Sequence, residues 1–110
     1  MTYYELIHTE QYKGFDINFY ITYEDMHPRD SFDETEWNIK ELCQQIDNGD
    51  YVWFIAKVTA SKNGIELASD YLGGCLYENT MQFVNEGCYY GDMRETVVRE
   101  ATTNIELLAA

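Results

Sequence analysis

The run Tyr51-Val52-Trp53-Phe54-Ile55-Ala56-Lys57-Val58-Thr59-Ala60 limits what this chain can fold into more than any other stretch. It is the densest segment of the β-branched and aromatic residues that suit a pleated, half-buried surface. Strand side chains alternate between faces. One face takes Val52, Phe54, Ala56 and Val58; the other takes Tyr51, Trp53, Ile55, Lys57 and Thr59. Both faces are apolar in the first half, which predicts a central strand covered on both sides there. Asn48-Gly49 stops what precedes it. Lys62-Asn63-Gly64 turns the chain back, since Asn-Gly supplies the positive φ of tight hairpin turns.

The flanking segments add strands beside this one and helices across it. Thr2–Gln11 reads as a strand and Phe15–Tyr23 as its hairpin partner across Lys13-Gly14. In the partner, Phe15, Ile17, Phe19 and Ile21 alternate with Asp16, Asn18, Tyr20 and Thr22, which marks a sheet with one wet side. A helix is predicted over Asp33–Asp47. Ser31 and Glu34 have capping-box spacing, and Asp33 is an alternative N-cap. Ile39, Leu42, Cys43 and Ile46 fall on one stripe of that helix, and Trp37 falls almost opposite. A fourth strand runs from Ile65 to Tyr77, with a break or bulge near Asp70 or at Gly73-Gly74. Asn79 or Thr80 caps a short helix ended by Gly87. Tyr89-Tyr90-Gly91 is expected to link it to a last helix capped by Asp92, with Met93, Val97, Val98, Ala101, Ile105 and Leu108 as its apolar stripe. Glu95 and Arg99 have the spacing of a helical ion pair. The expected fold is α+β: a four-stranded antiparallel sheet with helices on one face, in the order ββαββαα.

A chain of 110 residues suggests one domain over 1–110, large enough for a core without staples. Hydrophobic content of 45% argues against disorder despite the charge. Cys43, Cys75 and Cys88 are odd in number and form no CxxC, as expected of small apolar residues in a reducing compartment. The start, Met-Thr-Tyr-Tyr-Glu, has no secretory pattern, and no apolar run reaches the roughly 20 residues that cross a bilayer. The expectation is a cytoplasmic protein.

No constellation of residues names a reaction. The two histidines and three cysteines match no nucleophile or zinc signature. Gly73-Gly74 lacks phosphate-loop spacing, and Asp47-Asn48-Gly49-Asp50 reads as a helix-end turn rather than a calcium loop. The chain is therefore expected to be no enzyme, with no cofactor and no metal.

Charge is the anomaly. The net charge is −13, from 20 acids and 7 bases, well beyond the magnitude of about 2–8 that suits a small soluble domain. Nucleic acid and anionic membranes are disfavoured as direct partners, because both select Lys and Arg. Nine acids lie between residues 24 and 50: Glu24, Asp25, Asp30, Asp33, Glu34, Glu36, Glu41, Asp47 and Asp50. Only Arg29 and Lys40 offset them. Trp37 sits among these acids, and an aromatic anchor in a polar rim is how interface hot spots are built. The ten residues together form a candidate surface for the basic groove of a DNA- or RNA-binding protein complex, with carboxylates in place of phosphates.

The stretches Phe54-Ile55-Ala56-Lys57-Val58-Thr59-Ala60-Ser61, Gly64-Ile65-Glu66-Leu67 and Asp70-Tyr71-Leu72-Gly73-Gly74-Cys75-Leu76-Tyr77-Glu78 give the chain its family look. It resembles the small acidic proteins of bacteriophages and other mobile elements, which include anti-restriction and anti-CRISPR inhibitors. The resemblance implies a non-enzymatic, DNA-mimicking inhibitor of a host defence complex, acting in the host cytoplasm. Two rivals make different demands. A phage accessory or assembly protein would use its sheet or tyrosines for protein contact. A small enzyme would show a concave pocket with converging carboxylates, or a cysteine–histidine contact.

Overall fold

The computed structural model describes residues 3–30, 32, 38–86 and 88–109. Four strands, β1 (Glu5–Tyr12), β2 (Phe15–Tyr23), β3 (Val52–Lys62) and β4 (Ile65–Tyr77), form one antiparallel sheet in the order β1-β2-β3-β4. The helices are α1 (Ile39–Asp47), α2 (Thr80–Glu86) and α3 (Cys88–Ala109), so the order is ββαββαα. The class is α+β, as the alternation predicts. The apolar run, extended to Lys62, is one of the two inner strands.

Both hairpins turn on left-handed pairs, Lys13 (φ 50°) with Gly14 (φ 86°) and Asn63 (φ 54°) with Gly64 (φ 79°). These are the signs that match the right-handed twist of the flanking strands. The register is regular from Asp16↔Ser61 to Tyr23↔Phe54 between β2 and β3. On β4 it slips at the glycine pair: Phe54 faces Cys75, but Ala56 faces Leu72. Asp70 pairs normally with Val58, so of the two candidate breaks the glycines hold the bulge.

Phe15, Ile17, Phe19 and Ile21 of β2 are buried with Phe54, Ala56, Val58 and Ala60 of β3. The helices covering this face are α2 and α3, which contribute Phe83, Tyr90, Met93, Val97, Val98 and Ala101. Phe83 is the hub. It stacks on Phe19 at 5.1 Å between ring centroids and meets Tyr77 edge-on at 5.3 Å and Phe54 at 5.9 Å. Helix α1 lies outside this cluster. Its buried residues, Ile39 and Leu42, belong to a smaller packing unit beside the 3-10 turn Pro28–Asp30.

Two helix starts differ from expectation. Helix α1 begins at Ile39, because Asn38 is its N-cap: the backbone there is extended, and Oδ1 accepts the Glu41 N–H at 3.2 Å. Ser31, Asp33 and Glu34, expected to cap it, lie outside the described residues. Helix α3 begins at Cys88, not after Asp92, so Tyr89-Tyr90-Gly91 is helix rather than linker. Tertiary contacts override the turn-like composition, since Tyr90 is buried and its hydroxyl donates to Glu10 at 2.6 Å. At the end of the expected stripe, Leu108 is exposed. Glu95 pairs with Lys13 at 3.1 Å and accepts from the Tyr12 hydroxyl. Asn79 caps α2 through the Gln82 N–H at 2.9 Å.

A polar latch fastens β1 to α3. Glu10 accepts from Tyr90, from Arg94 at 2.7 Å and from His8 at 3.3 Å, and Arg94 lies 3.9 Å from the Tyr12 ring centroid. Partial desolvation works to raise the Glu10 pKa. The bonds from Tyr90, Arg94 and His8, with the Arg94 charge, outweigh it and hold the carboxyl below its ordinary value.

Two predictions follow from this packing. Phe83→Ala removes a ring that is fully buried against four others and should cost about 3–5 kcal/mol in a urea titration. For Glu10, a depressed folded pKa contributes stability above the unfolded value, about 4.3, and that contribution disappears as pH falls through the lower folded value. The stability advantage of wild type over Glu10→Gln should therefore be full near neutrality and shrink progressively below about pH 4.5. A pH-independent difference would place the stabilisation elsewhere.

Candidate functional site

The acidic segment folds around Trp53. Beyond β2 the Glu24 N–H donates to the Trp53 carbonyl at 3.2 Å. The Trp53 indole Nε1–H donates to the Met26 carbonyl at 2.7 Å, which satisfies the one polar group of a side chain only 6% exposed. The 3-10 turn closes through Asp30 N–H to His27 O and Phe32 N–H to Pro28 O, both 2.9 Å. This carries the Phe32 ring to 5.6 Å from Trp53. Helix α1 packs on the same turn. Between loop and helix lies a cleft of about 350 Å³, lined by Glu24, Asp25, Met26, His27, Cys43 and Asp47 with Trp53.

The structure thus brings Glu24, Asp25 and Asp47 to one concavity. Asp30, Glu41 and Asp50 are exposed on the turn, the helix and the segment after it. None of Asp25, Asp30, Glu41, Asp47 and Asp50 makes an ion pair among the described residues. Lys13, Lys57 and Arg94 are engaged with Glu95, Glu66 and Glu10 instead. Asp33, Glu34, Glu36 and Trp37, which completed the expected surface, lie outside the described residues.

Glu24 has a different role from the one expected of it. Its Oε1 accepts the Met26 N–H at 3.1 Å, and its Oε2 accepts the Gly74 N–H at 3.0 Å. The carboxylate is a tether from the end of β2 to the bulge of β4. A Cβ on Gly73 would sit 3.1 Å from Glu24 Oε2, tight enough to displace the carboxylate slightly. The glycine pair that breaks the strand pattern is thus also where this acid docks. An acid immediately after a strand, with paired glycines in a neighbouring strand, is the signal that could have identified it.

The cleft also holds a contact not foreseen from spacing: His27 Nε2 lies 3.8 Å from Cys43 Sγ. Its polarity matters. His27 Nδ1 accepts the Arg29 N–H at 3.1 Å, so the neutral ring carries its proton on Nε2. The nitrogen facing the sulfur is then a donor, not a base that could take the thiol proton. Cys75 is buried, donates to the Leu72 carbonyl at 3.3 Å, and is pushed up to about 11 chiefly by desolvation. It stays a thiol at neutral pH.

A second cleft, about 340 Å³, runs along the outer edge of β4 and is lined by Phe32, Leu72, Cys75, Leu76, Tyr77 and Tyr89 with the two glycines. Among the described residues, no group of three or more His, Cys, Asp or Glu could hold a metal ion, and no helix is long and apolar enough to cross a membrane. Comparisons with protein-family models, with curated proteins and with solved structures found no match for this chain.

The tether gives a direct prediction. Glu24→Ala removes two charge-assisted hydrogen bonds and should cost about 1.5–3 kcal/mol. It should also speed amide exchange at Gly74, the donor that loses its acceptor. An unchanged Gly74 exchange rate would mean that the bulge holds without Glu24.

Proposed function

We propose that this chain is a non-enzymatic inhibitor that binds, through an acidic surface, the basic groove of a nucleic-acid-handling defence complex, in the manner of a DNA mimic. The observation that carries the reading is the convergence of the 24–30 loop and α1 on one cleft, with Asp25 and Asp47 in its walls, while Asp30, Glu41 and Asp50 are exposed on the turn, the helix and the segment after it. These carboxylates are uncompensated by any ion pair among the described residues. A cationic groove would supply the missing counter-charge. The half-exposed apolar residues of the cleft, Met26 and Ile46, would bury against the stems of lysine or arginine side chains.

Charge steering makes such association fast and salt-dependent. The likeness to small acidic phage proteins supports a defence complex as the target class. The binding set is narrower than the run of acids, because Glu24 faces inward to the β4 bulge.

The test is capture of nucleic-acid-binding complexes from a host lysate by the tagged chain. Binding should be retained at about 0.05 M salt and lost near 0.5 M, where the Debye length shrinks to a few Å, and duplex DNA should compete. The triple variant Asp25→Lys, Glu41→Lys, Asp47→Lys should weaken capture by at least about tenfold. Glu100→Lys, an exposed site on α3, should leave it nearly unchanged. Equal capture by wild type and triple variant would sink the reading.

A further inference from the structure

The sheet order leaves β4 at an edge, with no strand beyond it among the described residues. An edge strand presents N–H and C=O groups that no neighbouring strand pairs, which makes it a template for an added strand. Chains blunt such edges with lysine, proline or a bulge. β4 is 13 residues long and has neither lysine nor proline; its register slips only at Leu67 and at Gly73-Gly74. The 340 Å³ cleft follows this edge, because the consecutive residues 72–77 line it. Phe32, beside the Trp53 ring, and Leu76, the partner of Trp53, bound it on one sheet face. Tyr89 bounds it on the core face with Leu72 and Tyr77. The groove is thus apolar on both faces of the sheet, and Gly73 and Gly74 leave its middle without side chains. A groove along a strand edge suits an extended chain, which gains affinity from the backbone and specificity from alternate side chains.

Charge selects that chain. Between residues 65 and 93 lie the acids Glu66, Asp70, Glu78, Glu86 and Asp92, and no Lys, Arg or His. Glu66 lies 3.9 Å from Lys57; the other four make no ion pair among the described residues. Asp70 and Glu78 stand just before and just after the residues that line the groove. A second copy of this chain, paired edge to edge, would bring like charges together, which destabilises strand pairing. Nucleic acid is repelled by the same acids. We propose that the outer edge of β4 over residues 72–77 is a docking groove for an extended cationic peptide segment of a partner protein. The segment adds as a further strand, with alternate apolar side chains against Phe32, Leu76, Tyr77 and Tyr89 and a lysine or arginine at each end, near Asp70 and Glu78. This site is separate from the acidic cleft and stands without it.

Part of the bulge is already satisfied within the chain. The Gly74 N–H donates to Glu24, and the Leu72 carbonyl accepts from Cys75 Sγ. The added ladder is therefore short and centred on residues 75–77. The apolar contacts on both faces supply the rest of the affinity, and the end charges steer the segment and fix its register.

The test is a nuclear magnetic resonance titration of the isotope-labelled full chain with a synthetic peptide of strand length, alternating valine and threonine between paired lysines. The expected result is saturable binding below about 1 mM, with amide shifts confined to residues 72–78 and the start of α3. The same peptide N-methylated throughout its valine–threonine run keeps the charge but loses the ladder donors, and should bind at least about tenfold more weakly. A peptide with glutamates in place of the lysines should weaken likewise. Glu78→Lys and, separately, Tyr89→Lys should each raise the dissociation constant at least about fivefold. Both sites are exposed, so melting should match wild type. Absence of shifts at 72–78 up to about millimolar peptide would overturn the proposal, as would equal binding by the N-methylated peptide. Shifts confined to Asp25, Glu41 and Asp47 would overturn it in favour of the acidic cleft. The same 72–78 shifts on concentrating the chain without peptide would make the occupant a second copy and overturn it equally. Lysate capture is read on other residues, so either reading can fail alone.

Discussion

The fold depends on one aromatic cluster. Phe83 of α2 sits against Phe19, Phe54, Tyr77 and Tyr90, which come from three strands and from α3. Aromatic pairs in offset and edge-on arrangements contribute beyond the area they bury, and here they hold together a chain whose net charge of −13 works to expand it. The cluster is where two helices of very different length gain a common seat. A seven-residue helix such as α2 is not stable alone, and its single fully buried side chain is the ring at the centre.

Much of this architecture was legible in the residues because local and tertiary preferences agree. Phe15–Tyr23 alternates cleanly, and Lys13-Gly14 and Asn63-Gly64 sit where the chain must reverse, so the hairpins follow from pattern and turn chemistry together. The misreadings occur where they conflict. Gly91 lowers helix propensity by about 1 kcal/mol relative to alanine, and with two tyrosines before it the stretch imitates a linker. The burial of Tyr90 and its bond to Glu10, a partner 80 residues away, decide for helix. Likewise spacing offers Ser31 or Asp33 as the cap of this helix, whereas the observed Glu41 N–H bond puts the cap at Asn38. The candidate surface was legible as a charge excess but not as a shape. Nothing in the spacing says that Glu24 turns inward, or that His27 and Cys43 meet across the cleft.

The scarce cations explain why the acidity is lopsided. Arg94 and Lys13 bind the first hairpin to α3 through Glu10 and Glu95. Lys57 is held by tyrosines and Glu66 on the sheet face opposite the aromatic core. With these bases committed to the sheet, the loop and helix at its far end keep a surplus of carboxylates. The fold also bears a local cost: the Thr59 hydroxyl, on the face of β3 opposite the aromatic core, is buried without a hydrogen-bond partner among the described residues, a penalty of about 1–3 kcal/mol.

Helix α1 is joined to the molecule differently from α2 and α3. It stands outside the aromatic core and rests on the Pro28–Asp30 turn, with Trp53 as the nearby anchor in the sheet. Such a segment opens in its own sub-global step rather than with the core. The acidic surface therefore rides on a unit whose order is set separately from that of the sheet. A ligand gripping it would bear the entropic cost of ordering this unit, and the event would register as slowed amide exchange across 39–47 while the exchange of the β2 and β3 core stayed the same.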